Sequence, residues 1–95
     1  TVPPYQDTYG WIEFRRGHLD EALPAVESAA AALTDDPQVQ YHLGMIYVAL
    51  NRDAAALEQF DKALALVKED VRRPFVTKSR AEVAKLAAKG VTKDN

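Results

Sequence analysis

The chain has 95 residues, of which 47% are hydrophobic and 27% are charged, and these fractions are those of one small domain of an ordinary soluble protein. Its formal net charge of -2 argues against a nucleic-acid-binding surface, which needs a concentrated basic patch. The sequence has no cysteine, which excludes a disulfide framework and a thiolate site, and no apolar run approaches the length of a membrane span. We therefore expect no nucleic-acid partner and no direct membrane insertion.

The sequence matches itself without a gap when it is shifted by 34 positions, as from Gly10 to Gly44. The matched pairs are Pro3 with Pro37, Gln6 with Gln40, Gly10 with Gly44, Ile12 with Ile46, Ala22 with Ala56, Leu23 with Leu57, Ala29 with Ala63 and Ala31 with Ala65. Residues 3–36 therefore form a first repeat and residues 37–70 a second.

The first repeat is predicted to hold two helices, over residues 5–16 and 20–33, separated by a turn at Gly17 and His18. Glu13 stands where the second repeat has Tyr47. A glutamate at a packing position is costly unless it reaches solvent, pairs with Arg16 three residues later, or meets a charge on a neighbouring repeat.

Residues 34–37 connect the two repeats, and Asp36 is placed to cap the next helix with its carboxylate. In the second repeat, apolar residues at helical spacing predict one helix before Asn51 and a second helix from about Ala56 to Val67. Asn51 tolerates the left-handed backbone of a helix stop, so we expect a tight turn there.

A further, one-sided helix is predicted over residues 71–90, followed by a frayed tail at residues 91–95. In the register of the repeats it begins near Val71 with Asp70 as its cap. Alternatively it begins at Thr77, or at the capping box of Ser79 and Glu82. Gly90 is the expected helix stop, and the polar composition of this helix is typical of an element that closes the end of a helical array.

The second repeat resembles the tetratricopeptide repeat, in which Leu-Gly, Tyr and Ala-x3-Phe mark where two antiparallel helices touch. The residues that carry the resemblance are Leu43, Gly44, Tyr47, Ala56, Phe60 and Ala63. The resemblance implies an all-α fold of about five helices, with two helical hairpins in a right-handed superhelical solenoid and a C-terminal capping helix. The structural core that it implies consists of Gly10, Ala22, Ala29, Leu43, Gly44, Tyr47, Ala56, Phe60 and Ala63.

The first repeat departs from the family pattern. Gln6 stands where Trp is usual, Glu13 replaces Tyr, and Val26 replaces Phe60 of the second repeat. The stretches DTYGW, EALP and DPQVQYHLG also resemble the last repeats of long bacterial tetratricopeptide proteins. We therefore expect a single domain that is a fragment of a longer chain, soluble and on the cytoplasmic or periplasmic side of a bacterial cell.

The family resemblance also implies a binding surface, because the first helix of each tetratricopeptide repeat lines a concave groove. The groove residues that it implies are Asp7, Trp11, Phe14, Tyr41, Met45 and Val48, continued on the last helix by Phe75, Ser79 and Glu82. These are not the Lys, Asn and Arg residues with which some family members grip a C-terminal carboxylate. We expect a protein scaffold that binds an apolar helix or extended segment of another protein or peptide.

An alternative function is a self-association or spacer module. The first helix carries Tyr5, Tyr9, Trp11, Ile12 and Phe14, an aromatic leading edge that could form a homo-oligomer. Trp11 and Phe14 could equally pack on a neighbouring repeat or a second copy instead of lining a groove.

The sequence gives no sign of catalysis or of a cofactor. Neither His18 nor His42 stands at metal-ligand spacing from a second ligand, and we expect both to be surface or packing residues. The sequence contains no phosphate-binding loop and no nucleophile motif. We expect a non-enzymatic protein without a metal or cofactor.

Overall fold

In the computed structural model, which describes residues 2–68 and 72–92, the chain folds into helices, and the described residues contain no strand. The five helices are α1 (Pro3–Arg15), α2 (Leu19–Ala32), α3 (Pro37–Ala49), α4 (Asp53–Val67) and α5 (Pro74–Ala88). The prediction of an all-α fold with about five helices is confirmed. None of these helices is long and apolar enough to cross a bilayer.

Prolines and left-handed residues set the helix boundaries. Helices α1, α3 and α5 each begin at a proline, which has no amide hydrogen to leave unpaired in the first turn. Gly17, just after α1, has a φ of 83°, and Asn51, just after α3, has a φ of 60°. Gly90, just after α5, has a φ of 81°. The predicted stops at Gly17, Asn51 and Gly90 are therefore confirmed.

The carboxylate of Asp36 caps α3, as the sequence predicts. Its Oδ1 atom accepts hydrogen bonds from the backbone amides of Gln38 at 3.0 Å and Val39 at 3.4 Å. The corresponding residue before α1 is Val2, which has no side-chain acceptor to offer. The first helix of the second repeat therefore has an N-terminal side-chain cap, and the first helix of the first repeat has none.

The sequence-based starts for the last helix are wrong where the structure tests them. Helix α5 begins at Pro74, not at Thr77 or Ser79, and its N-cap residue Arg73 makes no side-chain capping bond. Arg73 is extended, with φ of -90° and ψ of 124°, because a residue before proline is disfavoured in the helical region. The predicted start near Val71 with Asp70 as cap lies outside the described residues. The 34-residue spacing that joins Pro3 to Pro37 is not kept between Pro37 and Pro74.

Helices α1 and α2 pack as one hairpin and helices α3 and α4 as another, and each hairpin has a glycine at its contact. A Cβ atom on Gly10 would overlap Cγ2 of Val26, and one on Gly44 would lie 2.7 Å from Cε1 of Phe60. Only glycine fits at these two positions, because any side chain would force the paired helices apart.

Two apolar clusters form the core, and α3 belongs to both. The N-terminal core joins α2 to α3 and contains Ala22, Val26, Ala29, Ala30, Val39, Leu43 and Ile46. The C-terminal core joins α3, α4 and α5 and contains Tyr41, Ala56, Leu57, Phe60, Ala63, Leu64, Phe75, Val76 and Leu86. Helix α3 is buried on two sides, which explains why apolar residues occupy a large part of its circumference.

Candidate functional site

A cavity of about 190 Å³ opens where α1, α3 and α5 meet. Its lining is mostly aromatic and consists of Trp11, Gln38, Tyr41, His42, Pro74, Phe75 and Lys78. We call this feature the aromatic cavity. It draws on three helices that are far apart in sequence, so it exists only in the folded chain.

Trp11 forms one wall of the aromatic cavity and is itself held between two rings. Its ring centroid lies 4.9 Å from that of Phe14 and 4.0 Å from that of His42, with interplanar angles of 17° and 19°. Stacking on both sides fixes the orientation of the indole. Trp11 is partly buried, so an edge of it remains open to solvent.

A hydrogen bond to Asp7 holds His42 beneath Trp11. The Nδ1 atom of His42 lies 2.9 Å and 3.0 Å from the two carboxylate oxygens of Asp7. The side chains are only 8% and 13% exposed, so little water competes for this hydrogen bond. The contact ties α1 to α3 and fixes the imidazole ring on which Trp11 stacks.

Tyr41 lies at the centre of the aromatic contacts. Its ring centroid is 6.0 Å from Trp11, 6.1 Å from Phe60 and 5.9 Å from Phe75. Burial, and then the negative charge of Glu82, raise the pKa of Tyr41 above 10.0. Its phenol is therefore neutral at physiological pH and can donate a hydrogen bond.

Positive charge lies at the opening of the aromatic cavity. Lys78 is exposed on α5, and the guanidinium carbon of Arg73 lies 4.9 Å from the centroid of the Phe75 ring. The guanidinium over Phe75 forms a cation–π contact, which holds this charge beside a ring that lines the cavity. The cavity thus joins an aromatic floor to basic side chains at its α5 side, while the carboxylates of Asp7 and Glu82 lie near His42 and Tyr41.

The residues that were predicted to line a groove stay close together in the structure, with Trp11 next to both Phe14 and Tyr41, but they make different contacts. Asp7 bonds to His42, Trp11 and Tyr41 line the aromatic cavity, and Phe14 packs against the N-terminal core. Met45 and Val48 are partly buried against the C-terminal core.

The continuation of the predicted groove on α5 is divided in the same way. Phe75 lines the aromatic cavity, while Ser79 is fully buried and Glu82 is partly buried. Gln38, His42, Pro74 and Lys78 were not predicted as site residues. The helical spacing could have pointed to two of them, because Gln38 lies three residues before Tyr41 and Lys78 lies three residues after Phe75.

The residues predicted as the structural core are buried, with one exception. Gly10, Ala22, Ala29, Leu43, Gly44, Ala56, Phe60 and Ala63 are all in the buried class. Tyr47 is partly buried and contacts both cores, and its hydroxyl donates a 2.9 Å hydrogen bond to Oε2 of Glu27 on α2. Burial, and then the hydrogen bond and charge of Glu27, raise the pKa of Tyr47 to about 12.

Glu13, which takes the place of Tyr47 in the first hairpin, finds its partners within the α1–α2 turn. Its carboxylate lies 3.5 Å from Nη1 of Arg16 and 2.6 Å from Nδ1 of His18. The contact to Arg16 was one of the predicted solutions for this glutamate, and the contact to His18 was not foreseen.

One group of side chains among the described residues has the composition of a metal-ligand set. Glu13, His18 and Glu21 offer ligand atoms that lie within 4.8 Å of one another. His18 and Glu21 are exposed, and Arg16 already occupies one side of Glu13. A guanidinium beside the carboxylate opposes a cation, so we assign no metal to this group.

Comparison of the chain with models of known protein families, with curated proteins and with solved structures gives no match. We therefore infer its function from the residues and geometry of this chain.

Proposed function

We propose that this protein is a non-catalytic interaction module whose aromatic cavity accepts an apolar side chain from a helix or extended peptide of another protein. The observation that carries the proposal is the cavity of about 190 Å³ between α1, α3 and α5, with Trp11, Tyr41 and Phe75 in its lining. The resemblance to tetratricopeptide repeats also supports binding at this cavity, because the groove that it implies includes Trp11 and Tyr41.

The shape and chemistry of the cavity favour an anchored peptide. Large, rigid aromatic side chains such as Trp and Tyr dominate the energetics of many protein interfaces, since they bury much apolar area at a small entropic cost. Trp11 is held in place by Phe14 and His42 before any partner arrives, so its ordering costs nothing on binding.

The rim of the cavity favours an acidic residue beside the apolar anchor. Lys78 and Arg73 bring positive charge, and Gln38 offers an exposed amide. Charges at the rim of an interface act mainly on the association rate and on the choice of partner. We therefore propose a partner segment with one aliphatic or aromatic anchor flanked by Asp or Glu.

The histidines support a role without catalysis. His42 is covered on one face by Trp11 at 4.0 Å and bonded to Asp7, so its ring serves as packing. His18 is exposed and pairs with Glu13 at the α1–α2 turn, away from the aromatic cavity. His42 lines the aromatic cavity, but one face of its ring and its Nδ1 atom are already occupied by Trp11 and Asp7.

The test uses the single tryptophan of the chain as a reporter. Random peptides displayed on phage are selected against the immobilised protein, and the selected sequences are synthesised and titrated while the emission of Trp11 is followed. We expect saturable changes in emission and an enrichment of acidic residues next to an apolar one. Lys78→Glu should weaken binding by about tenfold, because it reverses the charge at the rim.

The matched control is Lys62→Glu, which makes the same charge change at an exposed position of α4. It should leave the affinity unchanged. Selected peptides that bind wild type and Lys78→Glu equally well, without altering the emission of Trp11, would contradict the proposal.

Self-association is the second candidate, and the exposed apolar side chains of α1 favour it. Trp11 and Phe14 turn inward to the two cores, whereas Tyr5, Tyr9 and Ile12 are exposed. Sedimentation equilibrium over a wide concentration range distinguishes the candidates: a dimer that dissociates in Ile12→Asp supports self-association, and a monomer throughout supports the aromatic cavity.

A further inference from the structure

The apolar residues that face outward on α1 form a stripe at helical spacing. Tyr5 is 74% exposed, and Tyr9 and Ile12 are each 50% exposed. We call these three residues the outer stripe. Among the described residues, the other exposed large hydrophobic residues are Val2, the N-cap of α1, and Leu66 on α4. An apolar stripe concentrated on one helix marks an interaction surface more often than scattered apolar residues do.

The molecule itself shows what covers such a stripe. The residues 34 positions after the outer stripe are Val39, Leu43 and Ile46 of α3, which are 2%, 4% and 0% exposed. They are buried because α2 lies on them and forms the N-terminal core with them. The corresponding positions of α1 carry apolar residues of equal or larger size, and no helix within residues 2–68 and 72–92 lies on them.

The two hairpins are alike enough for this comparison to hold. Gly10 faces Val26 as Gly44 faces Phe60, and the members of both pairs are again 34 positions apart. The contact between the two helices of each hairpin therefore fixes the same side of α1 and of α3. The opposite side of α1 therefore corresponds to the side of α3 that packs against α2.

The covering face of α2 defines the chemistry of the helix that would fit. Helix α2 contacts α3 through Val26, Ala29 and Ala30, and its small side chains let the two backbones approach closely. The helix is also acidic, with Asp20 and Glu21 in its first turn, and Glu27 accepts the hydrogen bond of Tyr47. On α1 the position that matches Tyr47 holds Glu13, whose carboxylate is already paired with Arg16 and His18. The exposed Arg15, three residues beyond Ile12, can instead pair with an acidic residue of such a helix.

We propose that the outer stripe of α1 binds an acidic, alanine-rich amphipathic helix of another polypeptide, which lies on α1 as α2 lies on α3. This surface is separate from the aromatic cavity, and the proposal goes beyond the proposed function. The chain's own alanine-rich helices do not meet the requirement. The alanines with which α2 and α4 pack are already buried in the two cores, and α5 exposes Lys78 and Lys85; these alanines are Ala22, Ala29, Ala30, Ala56 and Ala63.

The experiment measures binding of a probe helix to the full chain. The probe is a side-chain-stapled, fluorescein-labelled peptide with the sequence of residues 19–33, the segment that covers the equivalent stripe of α3. We expect saturable binding by fluorescence anisotropy. Ile12→Asp should weaken binding by about tenfold or more, because it places a charge in the apolar contact and beside an acidic partner.

Two control variants make the result specific. Leu66→Asp changes an exposed apolar residue on α4, and Lys78→Glu changes the rim of the aromatic cavity, so both should bind the probe as wild type does. Circular dichroism checks that Ile12→Asp is folded. Tyr5→Ser serves as a second stripe variant, because Tyr5 is the most exposed of the three residues and its loss leaves the cores intact.

Three outcomes would overturn the proposal. These are a probe that does not bind, binding by Ile12→Asp and Tyr5→Ser that is as tight as that of wild type, and a dimer of the protein alone that Ile12→Asp dissociates. The last result would assign the stripe to a second copy of the chain. Binding that is lost in Lys78→Glu alone would place the probe in the aromatic cavity, and the proposal would fail while the proposed function stood.

Discussion

The α1–α2 and α3–α4 hairpins share a sequence register and a glycine contact, yet they differ in how much of their first helix is buried. Helix α3 is covered by α2 on one side and by α4 on another, and Val39, Leu43 and Ile46 are almost inaccessible. Helix α1 packs on α2 and, through Asp7 and Trp11, on α3, but no described helix covers the matching residues Tyr5, Tyr9 and Ile12, which face solvent. The same pattern of apolar residues thus gives core in one hairpin and surface in the other, because burial depends on which neighbour is present.

The largest expected effect comes from filling the glycine contact of the second hairpin. Gly44→Leu should lower the free energy of unfolding by about 3 kcal/mol or more, since even a Cβ atom would lie 2.7 Å from the Phe60 ring. Phe60 is fully buried against Tyr41 and cannot move aside. Thermal melting followed by circular dichroism measures the loss.

The control for this substitution is Ala84→Leu at an exposed position of α5, which should melt as wild type does. An unchanged melting curve for Gly44→Leu would contradict the assignment of Gly44 to the contact between α3 and α4.

The second prediction tests the difference between the two first helices directly. Ile46→Ala should cost about 2–5 kcal/mol, because it opens a cavity in the N-terminal core. Ile12→Ala, at the matching position of α1, should change stability by no more than about 0.5 kcal/mol, since Ile12 is half exposed. Urea unfolding of both variants gives the two values. Equal losses would mean that Ile12 is covered in solution.

The third prediction concerns the start of each first helix. Asp36→Ala should cost about 1 kcal/mol, because it removes the acceptor for the amides of Gln38 and Val39. Val2→Asp should supply the missing cap to α1 and stabilise its first turn by somewhat less than the loss in Asp36→Ala. Hydrogen exchange of the first-turn amides checks both effects. The neighbouring Asp35→Ala, an exposed position that supplies no capping bond to these amides, should leave α3 unaffected.

The smallest effect concerns the contact between the hairpins made by Tyr47. The raised pKa of Tyr47, about 12 in the folded chain against 10.0 for the free side chain, means that folding favours the neutral phenol. The stability it contributes is therefore complete below pH 10.0 and is lost as the pH rises through about 12. Urea midpoints measured across this range should fall less in Tyr47→Phe than in wild type. An identical decline in both proteins would show that Tyr47 does not contribute to it.

The local features of the fold could be predicted because each depends on a few neighbouring residues. Gly17, Asn51 and Gly90 stop helices through their own backbone preference, and Asp36 caps a helix that begins one residue later. The glycine contacts followed from the shift of 34 residues between Gly10 and Gly44.

Features that join distant segments could not be predicted in this way. The Asp7–His42 pair links residues on α1 and α3, and the stacking of Trp11 on His42 depends on it. The starts of α5 at Thr77 and at Ser79 were wrong because they followed local capping signals, whereas Pro74 and the residue before it set the boundary.

The sequence by itself determined the helices, their turns and the small residues where each hairpin closes, since these are decided by backbone preferences and by apolar spacing over one or two helical turns. Only the tertiary structure decided which apolar stripe is core and which is surface, and which aromatic residues surround a cavity. Those outcomes depend on the packing of α1, α3 and α5 against one another, and packing brings together side chains that local patterns treat as independent.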